Sequence, residues 1–141
     1  MVNVSNVQLS DPKVRKPAVL IVEDELLVRM ALSDYLQECE FTVFDVCNAA
    51  SAVTFLSSGE FPVDVVLTDV RMPGAMDGFA LARWIRDNKP GVAVLITSGD
   101  KTKAEAARDL CDKNPIIEKP HDFKLVVARI RAAIESAKQT K

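Results

Sequence analysis

The sequence predicts an α/β fold, a doubly wound parallel sheet of five strands flanked by five helices. Two observations predict it. Five short apolar runs, rich in Val and Ile, alternate with segments of helical periodicity from residue 18 onward. The runs are too short for helices, and their near-continuous apolar character fits a sheet covered on both faces. The chain of 141 residues has the length of one domain.

The predicted strands are the five apolar runs themselves, at 18–22, 41–46, 63–68, 92–96 and 115–118. The first helix follows the first strand and carries an apolar stripe at helical spacing, formed by Val28, Ala31, Leu32, Tyr35 and Leu36. We predict that Asn48 caps the second helix and that Gly59 ends it.

The remaining helices follow the third, fourth and fifth strands. Gly78, Leu81, Ala82 and Ile85 mark the third helix. The fourth predicted helix follows Asp100 and has a single large apolar residue, Leu110, so we expect it to be weakly anchored. The fifth predicted helix has an apolar stripe formed by Phe123, Val126, Val127, Ile130 and Ile134. We expect residues 1–17 to be a flexible leader, 18–137 the folded domain and 138–141 a tail.

Composition excludes several function classes. The chain has 20 acidic and 18 basic residues, so no extensive basic surface for nucleic acid is expected. Its apolar runs fall short of the roughly 20 residues of a membrane span, and its first residues lack a signal peptide, so we expect a cytoplasmic protein. The cysteines show no zinc-site spacing, and His121 is the sole histidine. Acidic residues are therefore the main candidates for chemistry.

Polar side chains stand where the predicted strands end. They are Glu23-Asp24-Glu25, Thr68-Asp69, Thr97-Ser98-Gly99 and Lys119-Pro120. Each group alone has an ordinary interpretation as a helix cap or a turn. Because parallel strands end at one edge of the sheet, where such folds bind ligands, the four groups together favour a single site.

This combination of residues suits one chemistry. Clustered carboxylates repel one another unless a cation joins them, and a small set of hard oxygen ligands suits Mg²⁺. One carboxylate can then attack a phosphoryl group and form an acyl phosphate. A lysine and a hydroxyl would neutralise or hydrogen-bond the phosphoryl oxygens.

In these motifs the sequence resembles the receiver domains of bacterial two-component response regulators, the family of the chemotaxis response protein. The matching segments are VLIVEDE at 19–25, DVRMPGAMDG at 69–78, Leu95-Ile96-Thr97-Ser98 and Ile117-Glu118-Lys119-Pro120. The resemblance extends over residues 18–137. It implies a flavodoxin-like sheet of strand order 2-1-3-4-5 and a phosphorylation switch rather than an enzyme with its own substrate.

The resemblance also implies a role for each site residue. Asp69 is the implied phosphoryl acceptor. The implied Mg²⁺ ligands are Asp24, Asp69 and the main-chain carbonyl of Arg71, with Glu23 acting through water. Thr97 is the implied hydroxyl that turns toward the phosphoryl group, and Lys119 is its cationic partner, preceding Pro120.

Three departures from the family pattern bear on switching. The loop from Asp69 to Gly78 has one residue more than usual. Ile116 stands where the family usually has Tyr or Phe, so the conformational change cannot use an aromatic ring at this position. We expect Thr97 and the fourth helix to transmit the change instead. His121 follows Pro120 where an aromatic is common.

The resemblance implies specific partners. The phosphoryl donor is a sensor histidine kinase or a histidine phosphotransfer protein. Output passes to a downstream protein through the face formed by the fourth helix, fifth strand and fifth helix. We expect no direct contact with nucleic acid or membrane, and homodimer formation stays open. We predict a stand-alone regulator; the alternatives are a receiver fragment of a longer regulator or hybrid kinase, and a degenerate receiver that acts only as an interaction module.

Other readings fit less well. Haloacid-dehalogenase-like phosphatases need an acid two residues after the nucleophile, where this chain has Arg71. A flavodoxin-like flavin binder would place a phosphate beside Glu23-Asp24-Glu25, which repels it without a metal. A nucleotide hydrolase would need a phosphate-binding loop of the form GxxxxGK[ST], which the sequence lacks.

Overall fold

The computed structural model describes residues 15–71, 74–98, 116–118 and 123–139, and shows a parallel sheet of order β2-β1-β3-β4-β5. Its strands are β1 (Ala18–Val22), β2 (Thr42–Val46), β3 (Val65–Asp69), β4 (Ala93–Ser98) and β5 (Ile116–Glu118). The helices of the described ranges are α1 (Leu26–Glu38), α2 (Ala49–Ser58), α3 (Gly78–Asn88) and α4 (Phe123–Gln139). None of these helices has the length and apolar character of a membrane span.

The predicted parallel α/β sheet is confirmed, with β2, β1, β3 and β4 in the predicted order. β5 adds to the sheet beside β4, with Ile116 opposite Ile96. Helix α4 is the fifth helix of the sequence prediction. The fourth predicted helix, after Asp100, lies outside the described residues.

The sheet is covered on both faces because residues of its central strands point alternately to either side. In β1, Val19 and Ile21 join a cluster with residues of α1 and α4, among them Leu36 and Ile130. The intervening side chains of β1 join a second cluster with α2 and α3. Each large apolar side chain buried in this way contributes about 1.5–3 kcal/mol, so the two clusters fix the strands that carry the site.

Local signals set the limits of α2 as predicted. The Asn48 side chain accepts a hydrogen bond from the Ser51 backbone N–H at 2.7 Å. Gly59 ends the helix with φ of 68°, in the left-handed region that favours glycine. Both ends of α2 are therefore determined by residues that the sequence alone identifies.

Arg15, inside the predicted leader, contacts the folded domain. Its guanidinium donates to both carboxylate oxygens of Asp64, at 2.9 and 3.1 Å. The same carboxylate accepts a hydrogen bond from the Ala18 backbone N–H at 2.8 Å. The start of β1 is thus held against the residue that precedes β3.

Candidate functional site

Three carboxylates lie together at the carboxyl edge of the sheet. Glu23 and Asp24 follow β1 directly, and Asp69 is the last residue of β3. Carboxylate oxygens of the three residues all lie within 4.8 Å of one another. Glu23 is 2% exposed and Asp69 8% exposed, whereas Asp24 is exposed. The predicted grouping of these acids is confirmed, and the pocket has two buried walls and one that faces solvent.

Strand register explains why the acids meet. Val22 of β1 lies opposite Thr68 of β3, and both strands run in the same direction. The next residue along each strand, Glu23 and Asp69, therefore emerges at the same edge. One strand further, Thr97 of β4 lies opposite Asp69. The site is a direct result of parallel pairing between buried strands.

Main-chain contacts hold Glu23. Its backbone N–H donates to the Val46 carbonyl at 3.2 Å, which ties the end of β1 to the end of β2. Its carboxylate accepts a hydrogen bond from the Glu25 backbone N–H at 3.1 Å. Glu25 itself occupies the N-cap position of α1 without a side-chain cap hydrogen bond. The Glu25 side chain therefore does not cap α1.

The main chain around Asp69 is also fixed. The Thr68 hydroxyl donates to the Asp69 carbonyl at 3.0 Å, and the Arg71 backbone N–H lies 3.4 Å from a carboxylate oxygen of Asp69. The Val70 backbone N–H donates to the Thr97 carbonyl at 3.1 Å. These contacts hold the residue that ends β3, so its carboxylate is presented from a rigid strand.

Gly78 is a site-forming residue that sequence reasoning identified only as part of a helical stripe. Its backbone N–H donates to the Val70 carbonyl at 2.9 Å. A Cβ at this position would overlap the Asp69 carbonyl oxygen and come within 2.9 Å of the Val70 Cα. The start of α3 therefore packs directly on the Asp69 main chain. The sequence carries no clear local signal for this contact, because a glycine at the first position after the Asp77 cap is compatible with an ordinary helix start.

Thr97 is buried beside Asp69, with 2% of its surface exposed. Its hydroxyl lies 3.5 Å from the Thr68 carbonyl. This is long for an O–H···O hydrogen bond, whose usual length is about 2.7–2.8 Å, so little energy is lost if the hydroxyl turns to another acceptor.

The remaining predicted site residues are only partly described. Arg71 is exposed, two residues beyond β3, and Ile116 is the first residue of β5. Lys119 and Pro120 lie outside the described residues.

The donor set fits a hard divalent cation. Two carboxylates at 4.8 Å repel each other by about 3.5 kcal/mol at an effective dielectric constant of about 20, and a bound cation converts this repulsion into attraction. All the grouped side chains offer oxygen, and the site is open to water on the Asp24 side, which suits an ion such as Mg²⁺ that retains part of its hydration shell.

A parallel α/β fold with three acids at its carboxyl edge defines a receiver domain of two-component signalling. The model of the family "Response regulator receiver domain" matches residues 19–131, and the chain belongs to this family. Receiver domains are typically phosphorylation switches rather than catalysts, and they generally partner with histidine kinases. An acidic cluster of this kind is typical of their magnesium site.

Two curated relatives illustrate the range of proteins in which the domain occurs. The chain is 28% identical over 122 residues to the transcriptional regulatory protein ResD of Bacillus subtilis, a match of 86% of this chain and 50% of that protein. It is 32% identical over 118 residues to the sensor kinase CckA of Brucella abortus, covering 83% of this chain and 12% of the kinase. The chain thus spans about half the length, or less, of these relatives.

Solved structures agree with the fold. A response regulator receiver protein from Sinorhizobium medicae is 25% identical with a TM-score of 0.78, covering 86% of this chain and 97% of that one. A receiver domain from Clostridium thermocellum has a TM-score of 0.79 at 23% identity, covering 89% and 99% of the two chains, and supports the fold alone.

Proposed function

We propose that this chain is a phosphorylation switch that accepts a phosphoryl group on Asp69 in a reaction that requires Mg²⁺. The observation that carries the proposal is the meeting of Glu23, Asp24 and Asp69 within 4.8 Å at the end of buried strands. Asp69 is the natural acceptor because β3 fixes its main chain while its carboxylate reaches the pocket.

The proposed step is a displacement at phosphorus. A carboxylate oxygen of Asp69 attacks the phosphoryl group of a phosphohistidine, and the new O–P bond forms as the donor's N–P bond breaks. The imidazole leaves with the electron pair of that bond. The product is an acyl phosphate on Asp69, and its later hydrolysis by water returns the free carboxylate.

Asp24, Asp69 and the Arg71 carbonyl would hold Mg²⁺ directly, and Glu23 would act through water. The ion would neutralise negative charge on the phosphoryl oxygens. We propose Lys119 as a second cation for this purpose and the Thr97 hydroxyl as a hydrogen-bond donor to another phosphoryl oxygen.

The proposed output is a population shift between two packings of the domain. Buried Thr97 exchanges its long contact with the Thr68 carbonyl for the phosphoryl group, and the main chain of β4 follows. The change reaches the face formed by the fourth predicted helix, β5 and α4, where we also place Ile116 and Pro120. In a stand-alone regulator this face contacts a separate protein, and in a longer one a neighbouring domain.

Amide hydrogen exchange tests this output. Beryllium fluoride with Mg²⁺, used as a phosphoryl mimic, is expected to change exchange rates over residues 99–121 while those of β1 stay the same. The same additions to Asp69→Asn serve as the control. Unchanged exchange over 99–121 in the native chain, with the mimic bound, would contradict the switch.

An apolar surface beside the pocket suits the approach of the phosphodonor. Leu26, Leu27 and Met30 of α1 are 56, 79 and 52% exposed, and α1 begins two residues after Asp24. Leu26 and Met30 are four residues apart and share one side of the helix. We therefore propose that a protein bringing its phosphohistidine to Asp69 contacts this end of α1.

Leu27→Glu is expected to slow phosphotransfer from a phosphorylated histidine phosphotransfer protein at least tenfold, while phosphorylation by a small-molecule donor keeps its native rate. The substitution removes an apolar contact and buries a charge, and both effects weaken binding of the protein donor without affecting a small donor that does not contact Leu27. Thr42→Glu, at an exposed position at the start of β2 and so at the opposite edge of the sheet, is the control. Equal slowing with both donors would contradict the docking role.

The central test is direct phosphorylation. Incubation of the chain with acetyl phosphate and Mg²⁺ is expected to add the mass of one phosphoryl group, read by intact-mass spectrometry. The product is expected to be lost when Mg²⁺ is chelated before the donor is added. A chain that gains no mass with either a small donor or a phosphohistidine protein would overturn the proposed function.

A further inference from the structure

Arg29 bridges two segments of the chain at the edge of the acidic pocket. Its Nη1 donates to the main-chain carbonyl of Glu23 at 2.9 Å, and its Nε donates to a carboxylate oxygen of Asp45 at 3.1 Å. The arginine side chain is only 17% exposed. Asp45 lies in β2, so the guanidinium connects the residue after β1 with the neighbouring strand.

The carbonyl that Arg29 holds belongs to the peptide unit between Glu23 and Asp24. A peptide unit is planar, so a donor fixed to its oxygen also fixes the direction of the following N–H and the Cα of Asp24. Other contacts restrain Glu23 itself: its own backbone N–H donates to Val46, and its carboxylate accepts from the Glu25 N–H. Asp24 is exposed, and its carboxylate forms no hydrogen bond with the described part of the chain, so its position depends on the main chain.

We propose that Arg29 is a positioning residue for the cation site: it orients the Glu23–Asp24 peptide, and Asp45 holds the guanidinium in place. The inference rests on the proposed Mg²⁺ binding and adds a residue that touches no ligand. The fork of the guanidinium is essential, because two acceptors in different segments of the chain are bound by two different N–H groups.

A charge effect and a positioning effect of Arg29 predict opposite changes in Mg²⁺ affinity when the arginine is replaced, which makes the proposal testable. Arg29 places a positive charge beside a site that binds a cation. If the arginine acted by charge alone, its removal would strengthen Mg²⁺ binding. If it acts by position, its removal weakens binding although a repulsive charge has gone.

The test compares Mg²⁺ affinity, measured by isothermal titration calorimetry, for the native chain, Arg29→Lys and Arg29→Gln. Lysine keeps the charge but cannot serve both acceptors with the arginine geometry. We expect the dissociation constant to rise about tenfold in Arg29→Lys, the scale seen when supports of metal ligands are removed, and to rise in Arg29→Gln as well. Arg86→Gln, which breaks an exposed ion pair with Asp87 in the last turn of α3, is the matched control and should bind as the native chain does.

Thermal unfolding of each variant without Mg²⁺ separates folding from positioning. A lower melting temperature with an unchanged dissociation constant would show a merely structural role and overturn the inference. Tighter binding by Arg29→Gln would overturn it in favour of a charge effect. A native chain that binds no Mg²⁺ would overturn the proposed function itself. If the native chain binds Mg²⁺ and Arg29→Lys binds it equally well, only the positioning role of Arg29 is overturned.

Discussion

Asp69→Asn is expected to abolish the mass increase that the native chain shows with acetyl phosphate and Mg²⁺. The amide keeps the size and the main-chain contacts of Asp69 but lacks the anionic oxygen that attacks phosphorus. It also removes one of the three negative charges of the pocket. Intact-mass spectrometry after incubation with the donor measures the effect directly.

Two comparisons make this result specific. Asp87→Asn removes an exposed carboxylate at the far end of α3 and should be phosphorylated as the native chain is. Asp24→Asn should be phosphorylated slowly, with partial recovery at high Mg²⁺ concentration, because it removes a metal ligand and leaves the acceptor. A phosphoryl group found on the Asp69→Asn chain would place the acceptor at another residue.

Gly78→Ala is expected to destabilise the domain by about 1–3 kcal/mol, the usual range for forcing added atoms into a packed site. The new Cβ overlaps the Asp69 carbonyl oxygen, so either the start of α3 or the end of β3 must move. Movement of β3 displaces the acceptor, and phosphorylation by the small donor should slow. Urea unfolding gives the stability, and the rate of mass gain gives the reactivity.

Gly91→Ala is the matched control. A Cβ there meets no atom within 4 Å, and the residue precedes β4 at the opposite edge of the sheet. The change should be neutral or stabilise slightly, because alanine has less conformational freedom than glycine in the unfolded chain. Equal losses of stability in the two variants would rule out the contact between Gly78 and Asp69 as the cause.

Much of the architecture follows from local patterns. Buried parallel strands appear as short apolar runs, and the end of each run places the next polar residue at the edge of the sheet. The apolar runs therefore predict that Glu23, Asp24 and Asp69 lie together. The limits of α2 were equally local, because Asn48 and Gly59 act on backbone groups within a few residues.

In helix α1, hydrophobic periodicity predicts the buried residues only approximately. The helical spacing predicts that Ala31 belongs to the buried stripe, yet this residue is exposed while Ser33 is buried. Alanine has little surface to bury and so discriminates poorly between helix sides. Ser33 is tolerated inside because its hydroxyl accepts a hydrogen bond from the Gln37 side-chain amide at 3.1 Å.

The residues that the sequence did not reveal act across long sequence distances. Arg29 bonds to Asp45, 16 residues away, and either charge alone is an ordinary surface residue. Gly78 matters only because α3 starts against the Asp69 carbonyl. Such contacts depend on the assembled fold, which periodicity and spacing describe only in outline.

The ion pair between Arg15 and Asp64 has a practical consequence for anyone who labels or immobilises this domain. It fixes the chain at the amino ends of β1 and β3, whereas the acidic pocket occupies their carboxyl ends. Five residues of extended strand separate the two, a distance of about 16 Å. A fluorophore or surface tether placed beside Arg15 would therefore report on the domain from the side where neither the donor protein nor the pocket is obstructed.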